Sequence, residues 1–394
     1  MGYHVLLLTI PANGHVFPTL ALASELVRRG HRVTYPTMGG FVSRAESVGA
    51  TVLPYDSVDP VSVVGGENSG QAPLLFLKES LALIDAAATK LSDDVPDVVV
   101  YDNATLQAGR VLSRRFDRPG IQLYPVFASN EHYSFVMAMM KAAGPVDLAT
   151  PAMAEFGGLL AGMIAENGFD EDIPTFMGHV EDLNVVLVPR AFQPAGDTFD
   201  QRFAFVGPCL ADRSFLGEWQ PPASGLPVAL VSLGTVNNRN ESFFRATIDA
   251  FAGLDWHAVI SVGNGIDPAA LGQLPDNVEV HRWLQHLDVL EHAGMAITHA
   301  GMGGVMEALR FGRPMIAVPP FPDVIPNGDR LADLGLGVVL RPADVTAETM
   351  RAAVLQVAAD AEFTERAQLM AEEIRRAGGA AEAATLIENR LASA

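Results

Sequence analysis

Along most of this chain, short apolar runs alternate with amphipathic stretches of helical length. HVLLLTI is followed by the helix-like LALASELVRRG and then by HRVTYPT. ATVLPY, PDVVVYD, GIQLYPV and LNVVLVP continue the series, with a helix expected over LQAGRVLSRRF. Runs of Val, Ile and Leu without a polar residue at every second position belong to strands buried on both faces, which means a parallel sheet covered by helices. From Phe203 to Pro227 the text becomes FAFVGPCLADRSFLGEWQPPASGLP, rich in Pro and Gly and without a period, and reads as a linker. The rhythm then restarts with VALVSLGT, a helix over about Glu241–Phe251, WHAVISVG, VEVHRW, LDVLEHA and GMAITHA. A helix over Val305–Arg310, PMIAVPP, a helix near Asn327–Leu334 and GVVL complete it, and from Ala343 onward only helical patterns remain.

This pattern predicts an α/β chain with two doubly wound, Rossmann-like domains whose parallel sheets face across a cleft. Ligands are then expected outside the carboxyl ends of the strands. The expected boundaries are 1–205 for the first domain, 206–224 for the linker, 225–375 for the second domain and 376–394 for a terminal helix.

Composition narrows the picture. At 394 residues the chain is too long for one ordinary core, and 49% apolar with 18% charged residues is globular. Lys and Arg total 26 against 46 acidic residues, a net charge of −20, which argues against a nonspecific nucleic-acid or anionic-membrane surface. A single cysteine, Cys209, excludes an intrachain disulfide framework and fits a reducing compartment, so a cytoplasmic location is expected. The apolar start has no charged flank before it and is broken by Pro11, Asn13 and Gly14, which fits a buried strand better than a signal peptide. No apolar run reaches the ~18 residues of a membrane span.

The stretch THAGMGGVMEAL puts a histidine and three glycines, Gly301, Gly303 and Gly304, between a strand and a helix. Such loops turn tightly and present helix N-terminal N–H groups to an anion. Ser232, Gly234 and Thr235 follow another strand, as do Gly263, Asn264 and Gly265. His299, these hydroxyls and the amides would suit a phosphate or diphosphate, Trp283 a base, and Glu307 a ribose diol. Glycine after a strand is also ordinary in this architecture, and a lone tryptophan serves a core more often than a ligand. Neither a Walker lysine motif nor GxGxxG after the first strand is present, which weakens ATPase and dinucleotide readings.

In the first half, IPANGHVFPTL places His15 after the first strand, where it can serve as a general base if a carboxylate fixes its tautomer. Asp102, at the end of PDVVVYD, is the candidate carboxylate; a helix cap or turn is the alternative for Asp102, and packing for His15. His281, His286, His292 and His299 match no familiar zinc spacing, HExxH is absent, and so is GxSxG, so no metal site or serine hydrolase is expected.

Taken in order, IPANGHVFPTLALASELVRRGHRVTY, PDVVVYD, FQPAGDTFDQRFAFVGP, VALVSLGT, LPDNVEVHRWLQHLDVL, THAGMGGVMEAL and PMIAVPPFPDVIPNGDRLADLGLG span nearly the whole chain. This set resembles the bacterial family-1 glycosyltransferases of the GT-B fold, in the macrolide and flavonoid glucosyltransferase group. The resemblance implies that His15 deprotonates an acceptor hydroxyl while Asp102 orients it. The nucleophile then inverts an α-linked nucleotide sugar to a β-O-glycoside. No metal or other cofactor is obligatory. UDP-sugar or TDP-sugar is the donor substrate, with UDP-glucose the first expectation. His299 would touch the diphosphate and help neutralise its leaving charge, with backbone groups of Gly301, Gly303 and Gly304. Trp283, beside Leu284, would stack on uracil or thymine, Glu307 would bind ribose, and Ser232, Gly234 and Thr235 would line the donor cleft. The last helix would return to the first domain.

Two departures from the family pattern stand out. The segment Trp283-Leu284-Gln285-His286 lacks the usual proline, and the sugar-recognising pair, commonly aspartate–glutamine, reads Asp323-Val324. Val324 offers no hydrogen bond, which leaves room for a TDP-deoxysugar transferase of antibiotic biosynthesis. A sugar-nucleotide epimerase or a noncatalytic GT-B-fold partner protein would also fit this architecture. Phe76, Phe135, Met137, Met139 and Met140 would form an apolar acceptor wall for a polyketide, macrolide or flavonoid-like molecule, or else simply pack helices. A nucleotide sugar and a hydrophobic small molecule are the expected partners, with no nucleic acid, no membrane insertion, and a monomer or homodimer.

Overall fold

The computed structural model describes residues 2–63, 69–144, 149–210, 217–235 and 238–393. The first sheet contains β1 (His4–Leu8), β2 (Arg32–Thr37), β3 (Thr51–Pro54), β4 (Val98–Asp102), β5 (Gly120–Tyr124), β6 (Asn184–Val186) and β7 (Phe203–Phe205), in the order β3-β2-β1-β4-β5-β6-β7. The second contains β8 (Val228–Ser232), β9 (His257–Ser261), β10 (Val278–His281), β11 (Ala293–Thr298), β12 (Met315–Ala317) and β13 (Gly337–Val339), in the order β10-β9-β8-β11-β12-β13. Every pairing among the described residues is parallel. Every residue of β1, β4 and β5 is buried, as expected of uninterrupted apolar runs sandwiched between helices.

The two sheets share one winding. Strand order reverses beside β1, between β2 and β4, and again beside β8, between β9 and β11. A crevice opens at the carboxyl ends of the strands at each such switch. Those ends carry the turn after β1 and Asp102 in one unit, and Ser232 and His299 in the other.

Three elements differ from the sequence expectation. The stretch read as linker from Phe203 opens with β7, a strand of 3 residues, too short to show a period. Its Phe203 is buried and sits edge-on to Phe199, with ring centroids 4.9 Å apart. Part of the remaining stretch, 211–216, lies outside the described residues. The helix expected from Val305 spans Met302–Arg310, since glycine costs little in a first turn. The helix expected near Asn327 spans Ile325–Asp333, with Pro326 in the first turn where its missing N–H forfeits no bond.

Beyond β13, helices Ala347–Ala359 and Ala361–Ala377 precede a break at Gly378 (φ +89°) and Gly379 (φ +58°). Helix Gly379–Ala392 then packs Ala383, Ala384 and Ile387 into the first unit's core. Arg29 donates to Glu388 Oε2 at 2.7 Å and His31 pairs with Glu388 Oε1 at 2.8 Å, fixing that helix against the first unit. A further apolar core runs between the units, from Phe127 and Phe192 to Met306 and Leu331.

Candidate active site

His15 stands in the first turn of helix Asn13–Arg28, and Asp102 is the last residue of β4, so the switch in strand order brings them together. His15 Nδ1 lies 2.6 Å from Asp102 Oδ2, which also accepts a hydrogen bond from Thr9 Oγ1 at 3.1 Å. The other oxygen, Oδ1, accepts from the Ala104 amide at 2.8 Å and caps the short turn Asn103–Thr105. Asp102 therefore holds the histidine and caps a helical turn at once. It is wholly buried, while the His15 side chain is 23% exposed. The carboxylate assigns the proton to Nδ1, leaving Nε2 with a free lone pair. Burial pulls the His15 pKa down, but the charge and hydrogen bond of Asp102, aided by the charge of Asp323, outweigh it and set the pKa above 6.5. Asp323 belongs to the second unit, so the two halves of the cleft meet electrostatically at His15. Burial in turn raises the Asp323 pKa, opposed by the charge of His15.

On the opposite wall, β8 ends at Ser232, whose Oγ accepts from the Gly234 amide at 3.2 Å. Gly234 turns at φ +70°, and Thr235 beside it is exposed. After β11, the chain runs through His299 and Ala300 into helix Met302–Arg310. The His299 ring lies against two glycines. A Cβ at Gly234 would stand 2.4 Å from His299 Cε1, and one at Gly301 would stand 2.3 Å from Nε2. Only glycine leaves room for the ring. Its Nδ1 is enclosed without a hydrogen-bond partner among the described residues, so Nε2 is the nitrogen turned toward the two glycines.

Burial pulls the His299 pKa down to about 4, so the ring is neutral at neutral pH. A neutral ring can still donate a hydrogen bond to an anion. The first-turn amides of helix Met302–Arg310 are further donors on this wall, since such N–H groups have no carbonyl a turn behind them. A Cβ at Gly303 would meet nothing within 4 Å, and one at Gly304 only Thr298 Oγ1 at 3.5 Å.

Trp283 is 40% exposed, with its Nε1 donating to Asn264 Oδ1 at 2.9 Å, while Leu284 and Gln285 beside it are buried. Glu307 is almost wholly buried, with Oε2 3.8 Å from His286 Nδ1. Asp323 is partly buried, and Val324 is 7% exposed.

A family model described as "Erythromycin biosynthesis protein CIII-like, C-terminal domain" matches residues 245–389. The chain is 38% identical to the NDP-glycosyltransferase YjiC of Bacillus licheniformis, over 100% of this chain and 99% of that protein. It is 37% identical to the demethyllactenocin mycarosyltransferase of Streptomyces fradiae, over 99% of this chain and 87% of that protein. The calicheamicin glycosyltransferase CalG4 superposes with a TM-score of 0.89 at 39% identity, covering 100% of this chain and 99% of that one. The chain belongs to the GT-B glycosyltransferases of the macrolide and antibiotic type.

In this glycosyltransferase the residues expected to form an apolar acceptor wall divide. Phe135 is a packing residue: it is 7% exposed, its ring meets Phe127 edge-on at 6.1 Å, and its amide donates to Ser129 Oγ. Met137, on the same helix Phe135–Ala143, is 62% exposed and Met140 half-buried, while Met139 packs against the core between the units. Phe76 is half-buried on helix Ala72–Lys90. Thr9, which donates to Asp102, is not singled out by the sequence pattern, and neither are Asn327, which donates to the Ala300 carbonyl, or Arg330, which donates to carbonyls of residues 191–193. Thr9 could have been suspected from its place between a buried strand and the IPANGH turn. The other two act across long chain separations that no local pattern marks.

Proposed function

We propose that this glycosyltransferase moves glucose from UDP-glucose to a hydroxyl of a bulky hydrophobic acceptor of polyketide, macrolide or flavonoid kind, inverting the anomeric centre. His15 Nε2 takes the hydroxyl proton, and Asp102 stabilises the imidazolium so formed. The acceptor oxygen bonds to the anomeric carbon as that carbon's bond to the phosphate oxygen breaks. The electron pair leaves on the nucleoside diphosphate. His299 and the first-turn amides of Gly303 and Gly304 donate hydrogen bonds to the departing oxygens, where charge develops. Ser232, Gly234 and Thr235 line this wall, Trp283 stacks on the base, Glu307 accepts from the ribose, and Asp323 accepts from sugar hydroxyls. Met137 and Met140, with Phe76, face the acceptor. The observation that carries the reading is the 2.6 Å His15–Asp102 pair, with Asp323 of the opposite unit acting on the same imidazole.

One observation favours a second reading, a TDP-deoxysugar donor. Val324 is apolar and buried, so it gives a sugar hydroxyl no partner, and a hydroxyl left unpaired there costs ~1–3 kcal/mol. The Streptomyces fradiae relative is named a mycarosyltransferase. The test is mass-spectrometric product detection with UDP-glucose and TDP-deoxysugars against macrolide and flavonoid alcohols, with His15→Ala as control. A sugar-sized mass gain on an acceptor, lost in the control, supports the reading and identifies the donor. Donor converted to an isomer, seen as a shifted chromatographic peak of unchanged mass with no acceptor modified, would replace it with an epimerase.

A further inference from the structure

Ala300 lies between His299 and Gly301 at φ +65°, in the left-handed region that residues with a Cβ avoid. Two hydrogen bonds hold it there. Its amide donates to Thr298 Oγ1 at 3.2 Å, and its carbonyl accepts from Asn327 Nδ2 at 2.9 Å. Asn327 is 1% exposed and belongs to the first turn of helix Ile325–Asp333, on the far side of β12 in sequence. The helix is seated closely on this turn: a Cβ at its Gly328 would stand 3.3 Å from Pro319 Cγ and 3.8 Å from Ala300 Cβ.

The left-handed residue has a consequence for the cleft. It reverses the chain between β11 and helix Met302–Arg310. The His299 ring is thereby set between Gly234 and Gly301, and Gly303 falls in the first turn of the helix, where its amide has no carbonyl a turn behind it. If Ala300 relaxed to a right-handed or extended conformation, His299 and those amides would no longer converge. The pairing is also a costly way to cover one carbonyl, since Asn327 Oδ1 is itself buried without a partner among the described residues.

We infer that Asn327 is a positioning residue for the donor diphosphate: its side-chain amide holds Ala300 in the left-handed conformation that aims His299 and the first-turn amides. This rests on the donor assignment made above. A residue that merely packed the helix onto the loop would be lost with the same fall in stability, but its loss would not be repaired by making position 300 more permissive. Glycine adopts positive φ without support, so Ala300→Gly supplies by backbone freedom what Asn327 supplies by hydrogen bonding.

The experiment is isothermal titration of the full chain with UDP and with TDP, on wild type, N327A, N327D, A300G and the double variant A300G/N327A, with a melting curve for each. N327D keeps the side-chain shape and removes the donor. N327A and N327D are expected to bind the nucleotide about 5- to 30-fold more weakly, the range that corresponds to forcing a left-handed conformation on a residue with a Cβ. A300G alone should bind like wild type. The double variant should recover to within about threefold of wild type, whatever its melting temperature. Wild-type affinity in both N327A and N327D, or a double variant no better than N327A, would overturn the inference. Failure of the wild type to bind either nucleotide would strike the donor assignment itself, and would be recognised because it precedes any substitution.

Discussion

Replacing Asp102 by asparagine keeps the side-chain shape and removes its charge. Asp102 receives hydrogen bonds from His15 Nδ1, Thr9 Oγ1 and the Ala104 amide. An asparagine can still accept from Ala104, but its NH₂ group then faces His15. The imidazole must accept there and carry its proton on Nε2, the nitrogen that has to receive the acceptor's proton. The charge-assisted bond alone is worth about 1.5–3 kcal/mol, or roughly 10- to 150-fold in rate. The wrong tautomer adds to this, up to the ~10²–10⁴ that a positioned base supplies in total. An Asp102→Asn loss in kcat/KM of about 10² or more is therefore expected. The pH profile carries a second, independent sign. Burial lowers the His15 pKa, and the charge and hydrogen bond of Asp102 raise it past that effect, with Asp323 adding to them. Because the proposed base works when neutral, the wild-type acid limb is expected above pH 6.5, and removing Asp102 is expected to move it to lower pH. Initial rates of glycoside formation from about pH 5 to 9, with melting curves to confirm folding, test both. Unchanged kcat/KM, or an acid limb moved upward, would refute the assignment of the pair.

Three further outcomes follow from distances elsewhere. Gly301→Ala changes no backbone preference, since Gly301 has φ −61°, yet its Cβ would stand 2.3 Å from His299 Nε2. It should displace the ring and weaken UDP or TDP binding by at least about tenfold in a titration, the value of one lost hydrogen bond to a charged group. Arg330 donates to the carbonyls of Ala191, Phe192 and Gln193 across the cleft, at 2.9, 2.9 and 3.3 Å. Arg330→Ala should let the units separate, seen as a larger radius of gyration in small-angle scattering and a raised KM for the acceptor. Ile387 is wholly buried in the first unit's core, so Ile387→Ala should cost about 2–5 kcal/mol, read by denaturant unfolding, although it lies on the last helix.

Much of this architecture is legible in the chain because its strands are buried on both faces. Runs such as VVVY and AVI carry no competing polar signal, and the helices at 106–116 and 241–251 fall where their apolar periodicity places them. The site is legible where chemistry sits at the end of a strand: His15, Asp102 and His299 all follow apolar runs. Legibility fails where a residue's role depends on a distant partner. The hydrogen bond from Asn327 reaches back 27 residues to Ala300, and that from Arg330 to Phe192 spans 138. Phe135 reads as part of an apolar wall because the segment FVMAMM is apolar throughout, but its own ring turns to Phe127. The seat of the His299 ring between Gly234 and Gly301 is hidden for a related reason, since it depends on two strands meeting. Short β7 carries too few residues to show any pattern.

The proposed reaction is a single displacement, with His15 activating the acceptor on the face opposite the leaving diphosphate. The most direct measurement is the anomeric configuration of the product by proton NMR, made from an α-linked sugar donor and purified from a wild-type reaction. A single displacement gives a β-glycoside, with a large coupling between the anomeric proton and its neighbour for a glucosyl product. An α-glycoside would contradict it, because retention requires a second displacement or front-face attack, neither of which the His15–Asp102 pair provides.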